Sequence, residues 1–255
     1  MPVNEQAQRT HDMLFPGHVS SLTVTDPELI EIFDNFAFDE VLRDIALDVP
    51  TRLIVQLASM IATGAVSEYR VMLGAALTVG VTAVQVKEIV YQAVAYVGMA
   101  RVFDFVHATN EVMTERGIAL PLAPQSTTTP HTRHDDGLAA QKRCVGDDTV
   151  TDMYASAPSD QAHIQRYLSA NCFGDYYTRG GLDVGTRELI TFAMIVSLGG
   201  CEPQAAGHVR ANRNVGNDRV TLIDVVTALL PFIGYPRAID ALRVIDEVLP
   251  ATTGG

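Results

Sequence analysis

An internal repeat constrains this chain more than any other feature. Leu47-Asp48-Val49-Pro50-Thr51-Arg52 returns as Leu182-Asp183-Val184-Gly185-Thr186-Arg187 at an offset of 135. Val79-Gly80, Gly98, Arg101 and Glu111-Val112 return as Val215-Gly216, Gly234, Arg237 and Glu247-Val248 at an offset of 136, so one residue has been added in between, by position Gly200. A chain that writes one pattern twice is expected to fold it into two similar units. Between the copies, the stretch from Leu120 to Gly137 is rich in Pro, Thr and short polar residues and cannot bury a core, so it reads as a linker. The expected organisation is a first domain over 1–118, a linker over 119–136 and a second domain over 137–255.

Each copy reads as helices. Leu53, Ile54, Leu57, Ala58 and Ile61 recur at the spacing of a helix that buries one face, which predicts a helix from Thr51 to Ala62. Its counterpart, Thr186 to Leu198, is apolar all round and is expected to be buried on most sides, in a domain core or against another subunit. The next helix of the second copy is predicted to open at Cys201-Glu202-Pro203, with Pro203 in the first turn where its missing N–H is harmless, and to end near Gly216. Thr82 and Thr221 are placed to cap the following helices, Ala83 to Val97 and Leu222 to Ile233. Period-two alternation is absent, so the fold class is all-α, with two tandem helical domains.

Charge and cysteine usage narrow the function. A net charge of −12 without a basic stripe argues against nucleic acid as a partner. The apolar runs are too short or too interrupted to span a bilayer, and the N-terminal residues lack the basic and apolar regions of a secretion signal. A soluble, cytoplasmic protein with no membrane partner is the expectation. Cys144, Cys172 and Cys201 form no CxxC pair, so neither a disulfide framework nor a four-cysteine zinc site is encoded. His131, His134, Asp135 and Asp136 lie in the polar linker, where a specific metal site is not expected. Cys144 and Cys172 read as packing residues.

The two copies differ where chemistry would need them to. Glu188, Cys201 and His208 stand where the first copy has Leu53, Ala65 and Met72. Cys201, Gln204 and His208 share a helix face if Cys201 opens that helix, and a tight turn at Gly199-Gly200 would fold the Glu188 helix back against it. A thiol at a helix N-terminus, with an imidazole near, is a candidate reactive group. The plainer alternatives are a cysteine that only packs, a histidine bonded to a backbone carbonyl, and a Glu188 paired with Arg187 or Arg210. Arg187 has a direct counterpart in Arg52, which favours a structural role over substrate binding, whereas Arg210 has none and could hold a carboxylate or face solvent. Tyr177 and its neighbours just before the Arg187 helix could line a cleft and donate hydrogen bonds, or pack in a core or interface. From the first copy, Tyr96, Glu68 or Arg70 could reach across the interface.

The second copy resembles the carboxymuconolactone decarboxylase family from about Gly137 to Val248. The resemblance rests on Cys172-Phe-Gly-Asp-Tyr-Tyr-Thr-Arg-Gly-Gly-Leu-Asp183, Thr186-Arg-Glu-Leu-Ile-Thr-Phe-Ala193, His208-Val-Arg-Ala-Asn212 and Gly234-Tyr-Pro-Arg237. Members usually carry Trp-Gly-x-x-Trp where this chain has Phe173-Gly174-Asp175-Tyr176-Tyr177, so the aromatic wall is altered. The first copy resembles the family more weakly. The resemblance implies a fold of the alkylhydroperoxidase D type and a homo-oligomer, with a homotrimer of tandem chains reproducing a six-domain ring.

Two activities divide that superfamily. The peroxidase branch uses a CxxC pair, a histidine and an upstream glutamate, which correspond here to Cys201, Gln204, His208 and Glu188; Gln204 removes the resolving thiol. A single-cysteine peroxidase would have to oxidise Cys201 to a sulfenic acid and reduce it with an external thiol. The decarboxylase branch needs no cofactor. It would use His208 as proton donor, Arg187 or Arg210 to orient a carboxylate, and Glu188 to set the protonation of His208 or Arg210. The leading expectation is a carboxy-lyase acting on a small carboxylated lactone or related enolisable acid. The catalytic residues are then His208, Glu188 and Cys201, with Arg187, Arg210, Gln204 and Tyr177 binding substrate. A non-catalytic small-ligand-binding or scaffold protein is the remaining alternative.

Overall fold

Asp48 and Asp183 stand just ahead of the two most apolar segments, each followed three residues later by a threonine. Their carboxylates accept from the backbone N–H of Thr51 at 2.8 Å and of Thr186 at 3.0 Å, capping two helices that would otherwise begin with open donors. In the computed structural model, which describes residues 2–251, these are helices four and eleven of fourteen, with no strand among the described residues. Helices α1 (Glu5–Leu14), α2 (Leu22–Thr25) and α3 (Pro27–Asn35) lead through a π-helical turn (Phe36–Glu40) and a 3₁₀ turn (Val41–Asp44) into α4 (Val49–Thr63), α5 (Val66–Thr78), α6 (Ala83–Val97) and α7 (Met99–Glu115). The second copy comprises α8 (Arg133–Val145), α9 (Asp147–Ser156), α10 (Ala162–Tyr167), a π-helical segment (Leu168–Tyr177), α11 (Val184–Leu198), α12 (Glu202–Asn214), α13 (Arg219–Ile233) and α14 (Tyr235–Val248). The fold is all-α, built from two tandem helical repeats. Met1 and residues 252–255, the outer ends of the two expected domain spans, lie outside the described residues.

One helix start differs from expectation. Thr82 does cap α6, in a reciprocal box with Gln85. In the second copy the cap is Asp218, whose carboxylate takes both the N–H and the hydroxyl of Thr221 at 2.8 Å, so α13 begins at Arg219 rather than Leu222. Asp218-x-x-Thr221 repeats the pattern of Asp48 and Asp183, and a carboxylate three residues upstream captures the N–H first.

Helices α4 and α11 are buried over eleven successive residues each, 52–62 and 187–197. They bury this surface against each other, and Ser197 Oγ donates to Ser59 Oγ at 2.8 Å where they meet. One apolar core therefore runs through both copies, from Leu53, Leu57 and Ile61 to Ile190, Phe192 and Leu229. The cross-packing is reciprocal. Helix α6 of the first copy lies on α11, with Gln92 Nε2 donating to Arg187 O at 2.9 Å, while α13 of the second lies on α4, with Gln56 Nε2 donating to Ala228 O at 3.0 Å.

Of the span expected as linker, Arg133 to Asp136 already belong to α8. The preceding strap is tied down: Gln125 O accepts from Gly180 N at 2.9 Å, and the Thr127 and Thr128 hydroxyls donate to Thr178 O at 2.7 Å and Gly174 O at 3.0 Å. Helix α8 then crosses the π-helical segment with backbones nearly touching. A Cβ on Gly137 would stand 2.0 Å from Ser169 O, and one on Gly174 would stand 1.9 Å from Arg133 O. Only glycine at both positions allows that approach, which seats Cys172 and Tyr177 against α6 and α11.

Candidate active site

Glu188 sits at a core position of α11, where the first copy has Leu53, so its carboxylate is completely buried. The Gly199-Gly200 turn brings α12 back alongside, and His208 Nδ1 meets Glu188 Oε2 at 2.8 Å. A carboxylate accepts from an N–H, so Nδ1 carries a proton and Nε2, without a partner among the described residues, is the nitrogen free to exchange one. Asn212, one turn beyond His208, donates to His208 O at 2.8 Å and to Glu188 O at 3.2 Å and is held by Asn217 at 2.8 Å, so it staples the two helices at the pair. Glu188 Oε1 has no hydrogen-bond partner. Buried carboxylate oxygens rarely stay unpaired, and such exceptions call for an explanation.

A wall of hydroxyls flanks the imidazole. The Tyr96 ring stands edge-on to it, centroids 5.8 Å apart. Tyr96 OH donates to Tyr177 OH at 3.0 Å, Tyr177 OH pairs with Thr191 Oγ1 at 2.7 Å, and Gln92 Nε2 donates to the same Thr191 oxygen at 2.9 Å. Cys172 Sγ donates to Tyr96 OH at 3.6 Å. Burial pushes both phenols well above their usual range, and the nearby Glu188 carboxylate adds to both shifts. Burial also lifts the Cys172 thiol to about 12. These groups therefore stay protonated and neutral at neutral pH.

Of the residues singled out from sequence, His208, Glu188 and Tyr177 come together. Cys201 does not join them. It precedes α12 by one residue, seven positions or about 10 Å along the axis from His208, and lines a small crevice with Gly199, Arg237, Asp240, Ala241 and Val244. Sharing a face was not enough, because two full turns separate the groups. Gln204 is one turn from His208 and exposed. Arg210 is exposed too, but two residues beyond His208 it projects about 200° round the helix, away from the imidazole.

Arg187, expected either to orient substrate or to serve structure, is fully buried and bonded through both terminal nitrogens, with Nε alone unpartnered: Nη1 donates to Gln92 Oε1 at 2.9 Å, and Nη2 to Glu88 Oε2 at 3.0 Å and to the carbonyls of Arg179 and Gly180 at 2.9 Å. It holds the two copies together rather than facing a ligand, and Glu188 pairs with neither Arg187 nor Arg210. Tyr96 is the contribution of the first copy. Glu68 and Arg70 are elsewhere, Arg70 paired with Glu111 and Glu68 near His18. Thr191, Cys172 and Gln92 gave no local signal, because each reaches the site through a contact between copies or helices far apart in sequence. The first copy's equivalent site holds Leu53 and Met72, both buried and apolar. Among the described residues no three His, Cys, Asp or Glu side chains gather as a metal site, and no helix is long and apolar enough to cross a membrane.

The carboxymuconolactone decarboxylase family profile matches residues 27–111 and again residues 162–247. The chain belongs to this family. The two matches start 135 residues apart and end 136 apart, which reproduces the repeat and its one-residue insertion. A 4-carboxymuconolactone decarboxylase of Acinetobacter baylyi (strain ATCC 33305 / BD413 / ADP1) is 26% identical over 116 residues, which is 46% of this chain and 86% of that protein. The chain is thus a tandem member of the carboxymuconolactone decarboxylase family, and the half matched at 162–247 contains both Glu188 and His208.

Proposed function

We propose that this chain is a decarboxylase-like enzyme acting, without a cofactor, on a small carboxylated lactone or a related enolisable acid, with its site in the second copy. The observation that carries the reading is the buried Glu188–His208 pair, which leaves Nε2 as the exchangeable nitrogen beside Tyr96. In such a reaction the bond to the departing carboxylate breaks, carbon dioxide leaves, and the electron pair passes into the adjoining carbonyl as an enolate. His208 Nε2–H then delivers a proton to carbon, and the imidazole regains one from solvent. Glu188 fixes the ring and compensates the imidazolium between turnovers. Gln204, exposed one turn away on α12, supplies an amide to the substrate, and the Tyr96 and Tyr177 rings shape the pocket wall.

The family membership and the named relative support this reading at the level of reaction class. A homotrimer in a cytoplasmic setting completes the proposal. A peroxidase working through Cys201 is less favoured, because that thiol is two turns from the buried Glu188–His208 pair. The test is to incubate the purified protein with 4-carboxymuconolactone and follow lactone loss and carbon dioxide together. Equal amounts of both support the proposal; an inert lactone, with peroxide consumed instead, replaces it.

A further inference from the structure

A sizeable cavity lies away from His208. It has a volume of about 540 Å³ and lies between the face of α6 that carries Val84, Lys87, Glu88 and Tyr91 and the strap at 120–125. That size is in the range of small-molecule sites, which combine apolar walls with a few convergent polar groups.

Its charge balance is unusual for this chain. Lys87 is 8% exposed, and its ammonium has one partner, the neutral amide oxygen of Asn110. No carboxylate pairs with it among the described residues. Desolvation alone acts on it, pulling the ammonium below its ordinary value. Glu88, which lines the same cavity, is committed elsewhere: Arg179 holds both of its oxygens at 2.9 to 3.0 Å, and Arg187 takes Oε2 at 3.0 Å. The cavity thus carries two cations, Lys87 and Arg179, against the carboxylate of Glu88, which Arg187 also engages from the core, in a protein whose net charge is −12. A buried cation without a counter-charge is costly, and an incoming anion would supply what is missing. Beyond the charges, Tyr91 lies under the Arg179 guanidinium, 5.2 Å from its ring centroid, and Leu120 and Leu122 line the strap side.

We infer that this cavity is a second ligand site, built to bind an organic monocarboxylate. The carboxylate sits between Lys87 and Arg179, and an alkyl or aryl body lies along Tyr91 and the strap. The site joins first-copy residues to the strap and to Arg179 of the second copy, does not depend on any reaction at His208, and meets the catalytic helix through the Glu88–Arg187 pair.

The experiment is isothermal titration of the full chain with octanoate and 4-phenylbutanoate and, in parallel, with their uncharged primary amides. The carboxylates should saturate one site per chain and bind at least tenfold more tightly than the amides. Lys87→Met, close in shape but uncharged, should weaken carboxylate binding at least tenfold, while His208→Gln leaves it unchanged. Should Lys87→Met fail to fold, Leu122→Glu, in the strap rather than the core, must weaken carboxylate binding by like-charge repulsion. The inference is overturned if neither carboxylate binds saturably, if the amides bind as well, or if binding follows His208 and ignores Lys87 or Leu122.

Discussion

Glu188 and His208 meet at 2.8 Å with the carboxylate wholly buried, and among the described residues the imidazole is the only partner of its side chain. The first copy makes the same core with Leu53 and Met72. The double variant Glu188→Leu/His208→Met, which writes the first copy's pair into the second, should therefore fold, with a Tm equal to or above that of the parent, because packed apolar residues replace both partners of the buried pair. Its decarboxylation kcat/KM should fall at least 100-fold, since a positioned proton-transfer group typically contributes about 10²–10⁴. Thermal unfolding and initial rates on one preparation check both halves.

Arg187 and Arg52 occupy equivalent places in the repeat yet have opposite surroundings. Where Arg187 finds Glu88 and Gln92, the positions facing Arg52 carry Asp224 and Ala228. Asp224 is spent on the Ala46 N–H, and the Arg52 guanidinium, 5% exposed, makes no hydrogen bond or ion pair among the described residues. Arg187→Met should lose about 3–5 kcal/mol, the usual result of removing one partner from a buried pair. Arg52→Met should be neutral or stabilising, by up to about 4 kcal/mol. Denaturant unfolding of the two variants measures the contrast.

The three thiols should separate by reactivity. Burial raises Cys144 and Cys172 to about 12, so at pH 8 each is thiolate in about one molecule in 10⁴. Cys201 is partly exposed. Iodoacetamide at pH 8 should label Cys201 first, with Cys144 and Cys172 following only on unfolding, as mass spectrometry of the digested protein would record.

The Asp218 cap carries a pH signature. The N–H and hydroxyl of Thr221 hold its carboxyl below the usual range. A carboxyl depressed in the folded state contributes stability that is present above its unfolded value of about 3.9 and is lost as pH falls through the folded one. Asp218→Ala should therefore lose about 1 kcal/mol at pH 7 and progressively less below pH 4. Urea unfolding at several pH values tests the sign.

Much of this was legible in the sequence, and the boundary has a physical cause. The repeat, the helices and the Glu188–His208 pair follow from local patterns or from differences between copies at matched positions. Helical phase puts Cys201 on the His208 face, but axial distance separates them. Thr221 matches a cap in type, but Asp218 three residues upstream is the stronger acceptor and takes that place. Arg52 and Arg187 share the sequence Leu-Asp-Val-x-Thr-Arg, so nothing local distinguishes a paired guanidinium from an orphaned one. Tyr96 and Thr191 join the site through the packing of α6 on α11, which no spacing encodes.

The central claim is that His208 moves the proton and Cys201 does not. The most direct measurement is kcat/KM for carbon dioxide release from 4-carboxymuconolactone in the parent, His208→Gln and Cys201→Ala. The account predicts a loss of at least 100-fold in His208→Gln and a rate within twofold of the parent in Cys201→Ala. Full activity in His208→Gln, or its abolition in Cys201→Ala, would contradict it.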